Sequence, residues 1–205
     1  MKKSIGTRIF AMLLVLFLVF AGSTAVNITS FNRISTANNT LTMQYMPLQL
    51  YKGNVEVAFQ QIQLYANLSY YKVGTEEEET VQGKLGTAIE TLQEALTGME
   101  DTVNKTGNSA LIEAFAAWKT ECETYAAFAT QIYDAAMANE DETVSELTAQ
   151  NKAMKEPCDT AEEAYTEVYD NALQTAATTT STLITTSKTI SVIALVISLL
   201  LFIVV

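Results

Sequence analysis

The fold is decided by residues 140–205, which read EDETVSELTAQNKAMKEPCDTAEEAYTEVYDNALQTAATTTSTLITTSKTISVIALVISLLLFIVV. Side chains suited to a helix interface recur there at alternating spacings of three and four residues: Val144, Leu147, Asn151, Met154, Cys158, Ala161, Tyr165, Val168 and Ala172. This spacing is typical of a helix packed in a bundle. Residues 190–205 follow with no charge, and their only polar side chains are Ser191 and Ser198. The pattern predicts one long helix that leaves a packed bundle and enters a membrane.

The apolar end of this helix is short for a membrane span. Residues 190–205 would rise roughly 24 Å, against about 30 Å of hydrocarbon. We therefore expect residues 190–205 to be a truncated second transmembrane helix, and the sequence to be a fragment of a longer product.

A second apolar segment lies near the N-terminus. Three basic residues precede it: Lys2, Lys3 and Arg8. Residues 9–28 are long enough for a transmembrane helix, and the positive-inside rule makes residues 1–8 a cytoplasmic head. A cleaved signal peptide is the alternative, because residues 23–25 are small and suit a cleavage site. We favour the uncleaved helix, since the packing positions continue directly from Ile28 through Phe31.

The composition limits the classes of function. The net charge is −11, from 12 basic and 23 acidic residues, with no His and two Cys. Such an acidic chain is a poor partner for nucleic acid. Without His, the usual catalytic and transition-metal sites are excluded, and the adjacent carboxylates Glu162 and Glu163 diverge by about 100 degrees around a helix. We expect no enzyme activity, no metal and no cofactor.

Between the two apolar segments, residues 29–189 are predicted to form an extracytoplasmic domain. Its first helix runs to about residue 74, and Pro47 should disturb that helix near residues 43–45. Two shorter helices follow, near residues 76–105 and 111–136, before the long C-terminal helix. Four helices with short connections predict an all-α, antiparallel up-down-up-down four-helix bundle flanked by two transmembrane helices.

The two cysteines lie at equal distances from the turn at Glu140. Cys122 is 18 residues before it and Cys158 is 18 residues after it, so the two side chains should lie at one height in an antiparallel hairpin. Outside the cytoplasm they could form a disulfide. Two buried free thiols are the alternative.

This layout resembles the sensor half of methyl-accepting chemotaxis receptors, in particular those with a four-helix-bundle ligand-binding region. The local resemblance includes Tyr45-Met46-Pro47-Leu48, because the first helix of that class often has an aromatic or apolar residue before Pro-Leu. The resemblance implies a homodimer paired through the first helix, a small ligand near the far end of the bundle and a small displacement of the fourth helix. It also implies a relay module and a cytoplasmic coiled coil, which lie outside this sequence.

Ligand residues do not transfer from that family. The one Arg of the outer domain, Arg33, is expected to anchor the membrane interface. Candidate ligand residues are Lys52 and a group of tyrosines: Tyr65, Tyr70, Tyr71 and Tyr125. The alternatives are an ion pair of Lys52 with Glu162 or Glu163 and ordinary core packing of the tyrosines.

Three functions are compatible with these features. The leading one is the sensor module of a bacterial chemoreceptor in the cell membrane, with a small molecule or a solute-binding protein as its partner. The second is the sensor domain of a histidine kinase or nucleotide cyclase. The third is a membrane-tethered structural bundle without a ligand.

Overall fold

The computed structural model describes residues 5–72 and 77–203, and these residues are all-α. The described elements are α1 (Ile5–Thr40), a π-helical segment (Leu41–Tyr45), α2 (Met46–Lys72), α3 (Glu78–Thr106), α4 (Ser109–Met137) and α5 (Asp141–Ile203). Part of the predicted head, residues 1–4, lies outside the described residues. The all-α prediction is confirmed.

The backbone departs from α-helical geometry where Pro47 predicts a disturbance. Proline lacks an N–H group, so the carbonyl four residues earlier, that of Met43, loses its helical partner. The structure has the π-helical segment there. The π-helical segment ends at Tyr45, and the carbonyl of Tyr45 accepts a hydrogen bond of 2.9 Å from the hydroxyl of Tyr169 on α5.

Short connections separate α3, α4 and α5. Gly107 follows α3 with a φ of 65°, a left-handed conformation that favours glycine. Asn108 then caps α4, because its side chain accepts a hydrogen bond of 3.2 Å from the backbone N–H of Leu111. Asn139, with a φ of 55°, turns the chain between α4 and α5.

The chain divides into two compact units, which we describe separately. The core unit is Thr42–Leu173, and the terminal unit comprises Met1–Leu41 and Gln174–Val205. In the core unit, α2 packs against both α3 and α4. All of its helices contribute large, fully buried side chains: Leu48, Val55, Ile62, Leu92, Leu96, Met99, Val103, Leu111, Trp118, Tyr125, Ile132 and Tyr165.

In the terminal unit, the half-buried face of α1 combines small and polar side chains with larger aliphatic ones. The half-buried positions include Asn27, Ser30, Ile34 and Ala37. The side-chain oxygen of Asn27 accepts hydrogen bonds from Ser187 at 3.3 Å and Ser191 at 3.1 Å on α5.

The predicted packing positions in α1 were therefore wrong by one residue. Ile28 is 58% exposed and Phe31 is 70% exposed. Their size suggested core positions, but small residues allow two helices to approach closely, and the hydrogen bonds of Asn27 add to that preference.

Two helical stretches are long and apolar enough to cross a membrane. They are Ile9–Ser69, with a peak mean hydropathy of 2.6, and Asp141–Leu200, with 1.9. The most apolar window of each stretch has no buried residues.

Candidate functional site

A charged cluster joins α2 and α5 in the core unit. It consists of Lys52, Glu56 and Glu162. The ammonium nitrogen of Lys52 lies 3.1 Å from a carboxylate oxygen of Glu162 and also contacts Glu56 one turn further along α2. Of the two partners that the sequence suggested for Lys52, the structure has Glu162, while Glu163 is exposed.

The pKa values in the charged cluster shift in opposite directions. Burial and the hydrogen bond with Glu56 raise the pKa of Glu162. Burial alone would raise the pKa of Glu56, but its hydrogen bonds with Lys52 and Glu162 lower it. Burial alone would lower the pKa of Lys52, but its two carboxylate partners raise it. The cluster thus stabilises charged Glu56 and disfavours charge on Glu162.

The predicted ligand tyrosines occupy different environments. Tyr65 is half-buried, and the ammonium of Lys84 lies 5.9 Å from the centre of its ring. Tyr71 is 74% exposed, whereas Tyr125 is fully buried. The side chain of Tyr70 lies outside the described part of the structure. Lys52 is engaged by carboxylates, so a ligand there would compete with Glu56 and Glu162.

Tyr125 begins a polar link that leads from the core to the surface. Its hydroxyl donates a hydrogen bond of 2.7 Å to the side-chain oxygen of Asn151 on α5. The amide nitrogen of Asn151 donates in turn to Asn67 on α2 at 3.3 Å. The ring of Tyr125 lies 4.7 Å from that of Phe59, between centres. Tyr125 therefore packs as a core residue whose hydroxyl is satisfied.

Sequence reasoning missed an aromatic column elsewhere in the core unit. Its members are Tyr45, Phe115, Trp118, Tyr165 and Tyr169. The rings of Trp118 and Tyr165 stack with centres 5.3 Å apart, and those of Tyr165 and Tyr169 with centres 6.1 Å apart. The i, i+4 spacing of Tyr165 and Tyr169 was the available signal. The indole nitrogen of Trp118 and the hydroxyl of Tyr165 are buried without a hydrogen-bond partner among the described residues.

Cys122 and Cys158 lie together in the core unit. Both are free, they are 0% and 1% exposed, and their sulfur atoms are 3.0 Å apart. The hydrogen bond with Cys158 and burial raise the pKa of the Cys122 thiol. The pair joins the middle of α4 to the N-terminal third of α5.

An exposed apolar stripe runs along α2, and we call it the α2 stripe. It consists of Met43, Met46, Leu50, Val57, Leu64 and Tyr71, each between 51% and 74% exposed. Five of the six recur at intervals of seven residues, from Met43 to Tyr71. Among the described side chains of the core unit, every large hydrophobic residue that is exposed belongs to this stripe. The seven-residue interval places these side chains along one face of the helix.

The helix that carries the α2 stripe is also the least acidic helix of the core unit. α2 contains two Lys and one Glu, whereas α3 contains two Lys and six acidic residues. α4 and α5 are likewise acidic. A second copy of the chain could approach this face with little charge repulsion, in contrast to the other faces.

The remaining candidates for a site are groups of metal-binding side chains and surface grooves. Among the described residues, no group of three or more His, Cys, Asp or Glu is arranged to hold a metal ion. One groove of about 430 Å³ in the core unit is lined by residues of α3 alone, including Glu90 and Glu94. The terminal unit has a groove of about 560 Å³, lined mainly by apolar side chains together with Asn27 and Ser191.

Comparison with models of known protein families, with curated proteins and with solved structures yields no match to this chain. A function for the chain therefore has to be inferred from its residues and their geometry.

Proposed function

We propose that this chain is the sensor module of a membrane transducer of the chemoreceptor type, working as a homodimer paired through α2. Its core unit lies outside the cytoplasm as an antiparallel four-helix bundle, and its apolar segments are two transmembrane helices with the N-terminus in the cytoplasm. The module senses and transmits, and it catalyses no reaction.

The α2 stripe is the observation that carries the proposal. Apolar side chains at positions such as Leu50, Val57 and Leu64 are exposed at intervals of seven residues, although the rest of the described core-unit surface has no exposed large hydrophobic residue. Exposed apolar side chains that recur every seven residues along one face of a helix suit pairing with another helix. A second copy presents the same stripe, so a two-fold axis along α2 would cover both stripes at once.

The continuity of α5 supports a transmitting role. α5 is one helix from Asp141 to Ile203, and it contains residues of the core unit and the uncharged segment from Ile190 onward. α5 continues through Pro157 without a break, and in the proposed module it passes a displacement from its core-unit part toward Ile190. Helix shifts of this kind in receptors measure about 1–2 Å.

The same function needs a place for a ligand. The charged cluster and the polar link both bridge α2 and α5, through Lys52 with Glu162 and through Asn67 with Asn151. A small molecule that altered either contact would change how α5 is held. Small molecules with an amine, a carboxylate or an aromatic ring are the classes that match these side chains, and a solute-binding protein is the other kind of partner.

A thermal-shift screen of the full chain in lipid nanodiscs tests the proposal. The panel would contain amino acids, organic acids and small aromatic molecules, and the reporter would be the fluorescence of Trp118, the single Trp of the chain and 1% exposed. A ligand at a hundred times its Kd should raise the free energy of unfolding by about 2.7 kcal/mol. A folded chain that no compound stabilises would favour a structural role without direct sensing.

A further inference from the structure

The thiol pair Cys122 and Cys158 is placed for a covalent bond between helices. The two residues are 36 positions apart in the chain, and their sulfur atoms are 3.0 Å apart. Both side chains are in the core, with 0% and 1% exposure. The two sulfurs already lie side by side in the folded core, so a bond between them is compatible with the way α4 and α5 pack.

We propose that Cys122 and Cys158 form a redox-controlled cross-link, which closes while the chain folds in an oxidising compartment and is then sealed inside the folded core. The oxidant is a disulfide, carried by a protein or by a small molecule. This inference concerns the core unit alone and does not depend on the proposed sensing role.

The chemistry is a pair of thiol–disulfide exchanges. The thiolate of one cysteine attacks a sulfur of the oxidant, which breaks the bond of the oxidant and leaves a mixed disulfide. The thiolate of the second cysteine then attacks the sulfur of the first, which forms the Cys122–Cys158 bond and releases the second sulfur of the oxidant. The chain loses two protons and two electrons, and the oxidant leaves as two thiols.

Burial determines when these steps occur. A folded core excludes the oxidant and disfavours the thiolate, because the hydrogen bond with Cys158 and burial raise the pKa of Cys122. Exchange therefore takes place before the core unit closes, or when α4 and α5 separate. The same barrier protects the finished bond from reductants, so the folded chain keeps the redox state in which it folded.

The test is alkylation of the full chain followed by mass spectrometry. The chain is produced once in an oxidising extracytoplasmic compartment and once in a reducing cytosol, and each sample is labelled with iodoacetamide under denaturing conditions. We expect no label on the first sample and two labels on the second. Two labels on denatured chain from the oxidising compartment would overturn the proposal.

Protection is tested on the oxidised sample with dithiothreitol. In the folded state we expect the bond to survive, whereas in guanidinium chloride the same reductant should open it and give two labels. Equal rates of reduction in both states would overturn the part of the proposal that seals the bond in the core. Cys122→Ala, which should give one label when the chain is produced in the reducing cytosol, controls for the efficiency of labelling.

Discussion

The hydroxyl of Tyr125 on α4 donates a hydrogen bond of 2.7 Å to the side-chain oxygen of Asn151 on α5. Tyr125 is fully buried, and Asn151 continues the link to Asn67 on α2. Polar side chains thus connect three helices, from the core at Tyr125 to the exposed Asn67. Such a link is specific, because each member needs its partner in one register.

The pH dependence of stability should reveal this tyrosine. Burial raises the pKa of Tyr125 to about 12, although its hydrogen bond to Asn151 opposes the shift. In the unfolded chain tyrosine ionises from about pH 10, so between pH 10 and 12 the unfolded state loses protons that the folded state keeps. The free energy of unfolding should therefore be maintained below pH 10 and fall as the pH rises toward 12.

Urea denaturation of wild type and Tyr125→Phe at several alkaline pH values measures this effect. At pH 7 the free energy of unfolding of the variant should be about 1–2 kcal/mol lower than that of wild type, because the side-chain oxygen of Asn151 loses the hydroxyl that donates to it. Above pH 10 the free energy of unfolding of the variant should also fall less steeply than that of wild type. Parallel pH profiles for the two proteins would show that Tyr125 ionises as readily in the folded state as in the unfolded state.

Gly98 on α3 is required by the ring of Tyr51 on α2. A Cβ atom built at Gly98 would lie 2.5 Å from Cε1 of Tyr51 and 2.8 Å from Cζ. Gly98→Ala should therefore lower the free energy of unfolding by about 1–3 kcal/mol, because the ring must move. Chemical denaturation followed by Trp118 fluorescence gives the value.

Gly86 is a matched control on the same helix. A Cβ atom there would meet nothing within 4 Å. Gly86→Ala should stabilise the chain by about 0.5–1 kcal/mol, since alanine is the better helix former. If Gly98→Ala stabilised the chain as Gly86→Ala should, helix propensity would outweigh the contact with Tyr51, and the close approach of α2 and α3 would be refuted.

The two carboxylates of the charged cluster should differ in their effect on stability. Glu56 has a lowered pKa and so contributes stability that is lost as the pH falls through its folded pKa. Glu162 has a raised pKa, so it contributes stability that is present at low pH and is lost as the pH rises through its folded pKa. At pH 7, Glu56→Gln should therefore cost up to about 1 kcal/mol, and Glu162→Gln should cost less or stabilise.

Glu163→Gln is the control for these measurements. Glu163 is adjacent to Glu162 but exposed, so its substitution should change the free energy of unfolding by no more than about 0.5 kcal/mol. A larger loss for Glu162→Gln than for Glu56→Gln would contradict the expected order of the two carboxylates. It would mean that Lys52 is held mainly by Glu162.

The helices could be predicted from the sequence because its hydrophobic periodicity is long and nearly uninterrupted. With two prolines in 205 residues, the hydrophobic spacing is the dominant signal. The kink expected from Pro47 near Met43 to Tyr45 falls where the structure has the π-helical segment, whereas Pro157 lies inside α5 without ending it. The ion pair of Lys52 with Glu162 was also foreseen from helix pairing. These features depend on residues a few positions apart or on simple alignment of helices.

Features that depend on fine rotation of the helices were not accessible in this way. Phe31 and Ile28 looked like core residues, but the covered face of α1 is one residue away and contains Asn27. The stacking of Trp118 on Tyr165 joins residues 47 positions apart, and no local pattern indicates it. Side chains of similar hydrophobicity compete for these positions, and packing decides between them.

The α2 stripe offers the most direct test of the proposed homodimer, by cysteine cross-linking in membranes. In a Cys122→Ala, Cys158→Ala background, single cysteines would replace Leu50, Val57 and Leu64, and also Thr97, an exposed residue of α3. Mild oxidation is followed by gel electrophoresis without reductant. We expect covalent dimers for all three stripe positions and a background level for Thr97→Cys. Stripe variants that cross-link no more than Thr97→Cys would contradict pairing through α2 and the proposed dimeric sensor.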